Sequence, residues 1–391
     1  MSLPDTKIPM LDLRAPHAAL EEEILESISA VLAAGRFVLG ESVARFEAEL
    51  AELCGLPHAL TCNSGTDAIW LALRASGVGP GDEVLCPGFS FFATASTIAR
   101  LGARPVFADI DNATLNLDPE DAMRRAESLG RLRAVLTVDL FGRACELGEL
   151  ESYCSEQEIP IIEDAAQAIG ALNMSGEQVG HRALAACFSF YPTKNLGALG
   201  DGGGVVTRDL ALAEKIASLR NHGETEPGVF AEIGINSRLD AIQAVALSIK
   251  MRHLEAWTLS RRHLAHRYNT LFAEDGACPS THKLGSSALP LQTPCADEGS
   301  ARQTFHRYVI RVPAGQRSAL IEALHNDGIA CEVYYPRGLH QQPALAEFAP
   351  AEALVETERA CQESLALPLY PELGLDDLER IVGVVTRTLR N

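Results

Sequence analysis

In "CFSFYPTKNLGALGDGGG" (187–204) a lysine, Lys194, follows an apolar, strand-like run and precedes a glycine-rich one. A lysine beside a buried strand costs desolvation unless its amine is used or its charge is paired. Upstream, "IPIIEDAAQAIGA" carries an apolar strand into Glu163 and Asp164, which places at least one carboxylate at a strand's carboxyl end. Asp also caps helices, and "AAQAIGA" can start one. If the two strands are neighbours in a parallel sheet, the acid and the Lys194 amine reach the same rim.

Two further features fit that pair. In "CNSGTDAIWLAL" a strand ends at Asn63, and Ser64, Gly65 and Thr66 lead into a helix. Free N–H groups at that point favour an anion, and a glycine lets a phosphate approach closely; the same residues also suit an ordinary Ser/Thr cap. In "PGFSFFATAS" (87–96) three phenylalanines follow a strand. At least one belongs in the core, and another offers a face for a flat ring. A phosphate cradle, a carboxylate, an aromatic face and a lysine are the set that pyridoxal 5'-phosphate needs. The lysine binds its aldehyde, and the carboxylate keeps the pyridine nitrogen protonated so that the ring withdraws electrons. No GxxxxGK[ST] is present, so there is no P-loop; no GxGxxG follows the first strand, and "GDGGG" precedes a strand rather than a helix, which disfavours a dinucleotide fold.

The elements that must hold these residues are strands alternating with helices. Strands are expected at 58–63, 82–87, 104–110, 134–141, 159–164, 186–191 and 203–207, and a helix over 66–76. Such alternation predicts a mainly parallel sheet covered on both faces, with ligands at the carboxyl ends of its strands. From about residue 238 the chain reads as helical almost to residue 275. Beyond it "HRYVIRV", "ACEVYYP" and "SLALPLYP" are expected strands and "LDDLERIVGVVTRTLR" a closing helix, while 279–303 reads as surface loop. The expected organisation is a large cofactor-binding α/β domain over 1–245 and a smaller α+β domain over 246–391.

Composition narrows the class. Of 391 residues, 47 % are hydrophobic and 22 % charged, as in an ordinary globular enzyme. No apolar run is long enough to span a bilayer, and "MSLPDTKIPMLDLRAPH" lacks the basic-then-apolar order of a secretion signal, so a cytoplasmic protein is expected. The net charge of −19 disfavours nucleic acid as a partner. An anionic substrate would need a locally basic pocket against that background. The ten cysteines are scattered without a CxxC pair, which predicts buried reduced thiols, no disulfide scaffold and no metal site.

With these motifs in hand, the chain resembles the DegT/StrS sugar-nucleotide aminotransferases, members of the aspartate aminotransferase (type I) fold. The resemblance runs through "GRFVLGESVARFEAELAELCG", "NSGTDAIWLALRASGVGPGDEVLCPGFSFFATA", "IEDAAQAIGA", "FSFYPTKNLGALGDGGG", "LRNHGE", "GINSRLDAIQA", "YYPRGLHQQPAL" and "SLALPLYPEL", in the family's order. It implies that Lys194 is the cofactor lysine and Asp164 the partner of the pyridine nitrogen. It implies Gln167 beside the ring's hydroxyl, Phe91 stacked on the ring, and Ser64, Gly65, Thr66 and Ser189 on the phosphate. Asn236 in "GINSRLD" would reach the phosphate of the second subunit, so that a homodimer shares its sites. His340 would stand near the substrate entrance; Arg238 is a structural or substrate-facing cation or else a solvated arginine at a helix start, and His222 in "RNHGE" suits a structural role more than a catalytic one. Asp139 in "VDLFG" departs from the histidine common in the family's "VHLYG".

The activity implied is amino transfer from an amino acid, glutamate first, to a nucleotide-linked keto-sugar. The "NSRLDAIQA" variant resembles members that aminate sugar carbon 3 of UDP- or dTDP-linked substrates, for lipopolysaccharide O-antigen or antibiotic sugars. Alternatives on the same fold are a sugar dehydratase using the same cofactor, against which Lys194 argues, and a non-catalytic regulator that only binds the cofactor.

Overall fold

The computed structural model describes residues 8–390; residues 1–7, where the expected leader-free N-terminus begins, and Asn391 lie outside the described residues. The seven strands expected in the first two thirds all form: β1 (His58–Cys62), β2 (Glu83–Pro87), β3 (Arg104–Ala108), β4 (Leu132–Val138), β5 (Ile161–Asp164), β6 (Ala185–Ser189) and β7 (Gly203–Thr207). They make one sheet in the order β1-β7-β6-β5-β4-β2-β3. Strands β2 to β6 pair in parallel. β7 alone is reversed, antiparallel to both β1 and β6. Its first residue, Gly203, therefore meets the last residues of its neighbours, Cys62 and Ser189.

Helices cover both faces. α1 (Arg14–Ala34) and α2 (Glu41–Cys54) precede the sheet. α3 (Gly65–Ala75), α4 (Ala93–Arg100), α5 (Pro119–Ser128) and α6 (Glu149–Glu156) lie between strands, and α7 (Leu210–Leu219) follows β7. Successive strand residues point to opposite faces. Val205 and Cys187 pack with Ile69 of α3 and Ile216 of α7. Val206 and Phe188 pack on the other face with Phe46 and Leu50 of α2. Because both faces are buried, the strands read in sequence as unbroken apolar runs.

After a short hairpin, β8 (Glu224–Glu226) and β9 (Val229–Phe230), the long helical stretch forms as α8 (Ala241–Met251) and α9 (Leu254–Glu274), broken at residues 252–253. A second sheet follows in the order β10 (Cys278–Pro279), β11 (Gln292–Thr293), β12 (Tyr308–Arg311), β13 (Ser364–Leu367). It has its own core with α9, α10 (Ala314–Asn326) and the helix Leu375–Arg390, in which Tyr268, Tyr308, Leu324, Leu367 and Val385 are fully buried. Most of 279–303 is irregular, but it is not the surface loop expected: β11 within it is an inner strand of the second sheet, and Leu289, Leu291 and Gln292 are buried.

One expected strand is absent. "ACEVYYP" makes only an isolated bridge, Glu332 with Ala366. Val333, Tyr334 and Tyr335 all line one cavity, which the alternation of a regular strand forbids. The ten cysteines are free thiols, eight of them buried. Among the described residues no helix is long and apolar enough to cross a membrane.

Candidate active site

The parallel strands deliver their last residues to one rim, and the reversed β7 delivers its first. Beneath that rim lies a cavity of about 680 Å³. Lys194, Asp164, Ser64, Gly65, Thr66, Phe91, Gln167 and Ser189 all line it. β5 and β6 are neighbours, with Asp164 opposite Cys187. The acid and the lysine therefore do share a rim, as adjacency of their strands requires.

Asp164 is 5 % exposed. Thr94 Oγ1 donates to its Oδ2 at 2.8 Å, and the Ala166 N–H donates to its Oδ1 at 3.3 Å. Burial pushes its carboxyl up, against these hydrogen bonds and the nearby Lys194 charge, which pull down. Among the described residues no cation lies within ion-pair distance of it. Glu163, its neighbour in β5, lines no part of the cavity and accepts from the Gly180 N–H at 2.5 Å. Strand alternation thus decides which carboxylate serves the cavity.

Lys194 sits in a turn after β6, its N–H bonded to the Tyr191 carbonyl at 2.8 Å. Burial lowers its amine from 10.5 to about 8; Asp164 opposes that shift and the Arg307 charge adds to it. Such an amine is poised for reaction at a carbonyl near neutral pH.

The cradle is built by close backbone approach. Ser64 caps α3, its Oγ accepting from the Asp67 N–H at 3.1 Å. A Cβ on Gly65 would stand 2.6 Å from the Ser189 Cβ. One on Gly203 would stand 2.3 Å from the Ser64 carbonyl carbon and oxygen. The glycines of "GDGGG" thus admit β7 alongside the Ser64–Gly65 turn. The cap reading of "SGT" holds, and the capping turn also lines the cavity.

Phe89 is core, while Phe91 is 57 % exposed at the cavity, its ring centroid 6.4 Å from that of Tyr335. Gln167 Oε1 accepts from the Phe141 N–H at 2.8 Å, and its Nε2 donates to the Tyr335 hydroxyl at 3.3 Å. The three remaining candidates lie outside this lining. Asn236 is exposed, with a backbone bridge to Asn221. Arg238 Nη1 donates to Asn221 Oδ1 at 2.7 Å, and its buried Nε has no partner among the described residues. His340 is buried, its ring centroid 6.3 Å from that of Phe107 and its Nε2 3.4 Å from Glu358 Oε1. His222 is exposed in a turn with φ of 65°. Asp139, just past β4, is fully buried; its Oδ1 accepts from the Cys145 N–H at 2.8 Å and its backbone N–H donates to the Asp164 carbonyl at 3.0 Å.

Sequence reasoning missed His306, Arg307, Tyr334 and Tyr335, which close the cavity from the second sheet's side. "HR" was absorbed into the strand "HRYVIRV", although β12 begins only at Tyr308. A charged pair at the head of an apolar strand was the available signal. His306 Nδ1 lies 3.2 Å from Asn195 Oδ1, and burial drops its ring well below the ordinary range. The neutral ring donates through Nδ1 to that acceptor, so Nε2 is left to accept.

Asp164 is a buried carboxylate in want of a cation, Lys194 is an amine held reactive, and an open anion cradle faces them. This donor set fits pyridoxal phosphate. Comparison with known proteins agrees. The chain is 41 % identical over 385 residues, 98 % of its length, to the pleiotropic regulatory protein of Geobacillus stearothermophilus, covering 99 % of that relative. It is also 41 % identical over 385 residues to the UDP-N-acetyl-3-dehydro-alpha-D-glucosamine 3-aminotransferase of Acidithiobacillus ferrooxidans, with 98 % and 99 % of the two chains covered. The solved structure of NtdA from Bacillus subtilis with bound cofactor PMP superposes with a TM-score of 0.88 at 29 % identity, covering 99 % of this chain and 86 % of that one. Residues 18–386 match the DegT/DnrJ/EryC1/StrS aminotransferase family, and the chain belongs to it.

Proposed function

We propose that the protein is a pyridoxal-phosphate-dependent aminotransferase that moves an amino group from an amino acid, glutamate first, to a nucleotide-linked 3-keto sugar. The observation that carries this is the shared cavity of Lys194 and Asp164, on the C-terminal rim of adjacent strands. When bound, pyridoxal phosphate supplies an aldehyde that joins amines and a protonated ring that draws electrons from the bond broken at the donor's α-carbon.

The chain's own residues do the rest. Ser64, Gly65, Thr66 and Ser189 would hold the phosphate, Lys194 Nζ would anchor the aldehyde, and Phe91 would offer its face to the ring. Asp164 would hold the proton on the ring nitrogen, and the Thr94 hydrogen bond favours the charged form of that carboxylate against the effect of burial. Gln167, fixed by Phe141 and Tyr335, stands beside the ring hydroxyl. With the group bound, the Lys194 amine would be the acid–base that takes a proton from the donor's α-carbon in one half-reaction and returns one at the sugar's carbon 3 in the other.

The substrate lean rests on "NSRLDAIQA" and on the 3-aminotransferase relative. The relative named as a regulator does not displace it, because Lys194 and Asp164 share one cavity with Ser64, Gly65, Thr66 and Ser189. Also part of the reading are a homodimer, a cytoplasmic location and a product used for lipopolysaccharide O-antigen or related sugars. We read Asn236, exposed and outside its own cavity, as reaching the partner's phosphate, Arg238 as substrate-facing and His340 as near the substrate entrance. The reading also includes a cofactor-holding domain over 1–245 and a smaller one over 246–391; two sheets with separate cores support two domains, while α8 runs across that boundary and packs with the first sheet. The test is purified protein with pyridoxal phosphate, glutamate and a set of UDP- and dTDP-linked 3-keto sugars. The expected outcome is an amino-sugar nucleotide and 2-oxoglutarate in equal amounts. No product from any of them, with cofactor bound, defeats the reading.

A further inference from the structure

Arg307 has no part in the chemistry described so far. It lines the Lys194 cavity and is only 9 % exposed. Among the described residues no carboxylate lies within ion-pair distance of its guanidinium. Its contacts include the His306 carbonyl, 3.3 Å from Nη1, and Tyr334, whose ring centroid is 5.5 Å from its Cζ and whose hydroxyl it also reaches. Buried charges are held by partners or by ligands. A guanidinium stacked on tyrosine and left without an acid is a receptor waiting for an anion. It also supplies the local positive charge that an anionic substrate needs in a chain of net charge −19.

The anion can be narrowed by position. The cofactor phosphate belongs to the cradle of Ser64, Gly65, Thr66 and Ser189, and Arg307 bonds to none of these. The diphosphate of a sugar nucleotide is separated from the reacting sugar carbon by much of the ring and the glycosidic oxygen. The α-carboxylate of an amino donor is bonded to the very carbon that carries the reacting nitrogen. It must therefore stand beside Lys194, where Arg307 already acts on the lysine's charge. The planar fork of arginine matches a carboxylate with two parallel hydrogen bonds.

We propose that Arg307 is the receptor for the α-carboxylate of the amino donor and that Tyr334 fixes the plane of its fork. Arg307 thereby selects amino acids over simple amines in the first half-reaction. This rests on the aminotransferase reading above.

The test uses Arg307→Gln and Arg307→Lys in the cofactor-loaded protein, each checked for cofactor absorbance and thermal unfolding. Single-turnover half-reactions are followed with L-glutamate, with L-alanine and, from the aminated cofactor form, with a keto-sugar nucleotide lacking a sugar carboxylate. Arg307→Gln should lower the rate constant over Kd about 100-fold for glutamate and alanine alike, since a charge-assisted pair is lost. Arg307→Lys should recover only part of it. The loss with the keto-sugar should be at least about tenfold smaller. A loss with glutamate alone would assign Arg307 to the donor's side chain, and a loss confined to the keto-sugar would assign it to that substrate; either overturns the proposal, as does no loss. Calorimetric titration of glutarate, which has carboxylates but no amine, tests the receptor independently of turnover. Its affinity should fall at least about tenfold in Arg307→Gln, and unchanged affinity overturns the receptor. A wild type that binds glutarate through Arg307 but reacts with no amino acid overturns the aminotransferase reading and the donor assignment, while the anion site stands.

Discussion

Thr94 Oγ1 donates to Asp164 Oδ2 at 2.8 Å, across 70 residues of chain. Ser90 Oγ lies 2.8 Å from the same Thr94 oxygen. Because Thr94 uses its single proton on Asp164, Ser90 must donate to Thr94. The relay stabilises a carboxylate that burial pushes toward neutrality. Thr94→Val keeps the shape and removes the donor, so the charged form of Asp164 is favoured less and its carboxyl rises further. The acid limb of kcat/KM should move to higher pH, and activity at pH 7 should fall about tenfold, the lower end for a hydrogen bond to a charged group. Thr94→Ser should restore both, and Asp164→Asn should cost orders of magnitude with cofactor still bound. An unshifted profile in Thr94→Val would remove Thr94 from the site's electrostatics.

Lys194 gives a pH prediction with a definite sign. Its amine, held at about 8 by burial, is charged below that pH and neutral above it. Only the neutral amine attacks an aldehyde, so raising the pH speeds capture of the cofactor. In cofactor-free protein the capture rate should climb about tenfold per pH unit below 8 and level off above it. Stopped-flow absorbance reads this directly. An ordinary lysine would keep climbing to beyond pH 10. Lys194→Ala should fold, lose turnover and form no borohydride-trapped linkage.

The approach of Gly203 to Ser64 tests the cradle. A methyl at Gly203 would sit 2.3 Å from the Ser64 carbonyl, where backbone rather than a flexible tip must move. Gly203→Ala should displace the Ser64–Gly65 turn, weaken cofactor binding at least about tenfold and lower Tm by several degrees. Fluorescence titration of the cofactor-free protein is the measurement. Full affinity with a lowered Tm would separate this turn from the phosphate.

Asn236 tests the shared site. If Asn236 reaches a partner's phosphate as proposed, Asn236→Asp sets a negative charge against it and should inactivate the protein. Mixed with Lys194→Ala, subunit exchange should create one whole site and one doubly defective site in each heterodimer. Activity should return toward half the wild-type value per heterodimer. Exchange confirmed by mass without recovery would show that Asn236 does not act across an interface.

Much of this was legible in the residues. The positions of the sheet strands, the helix after "SGT", and the meeting of Lys194 with Asp164 follow from apolar runs, turn residues and the rule that parallel strands share a rim. The motifs carried the family. Tertiary structure alone decided the rest. β7 is reversed, which no local pattern states, and only that reversal brings Gly203 against Ser64. Glu163 and Asp164 are adjacent in sequence, yet pairing in β5 sends only Asp164 to the cavity. Tyr334 and Tyr335 looked like strand because their types favour strands, but the cavity took both side chains. Arg307 was hidden in an apolar run, because whether a buried charge has a partner depends on residues far away in the chain. Propensity and spacing are local quantities; pairing, burial and the charge left unpaired are properties of the assembled fold.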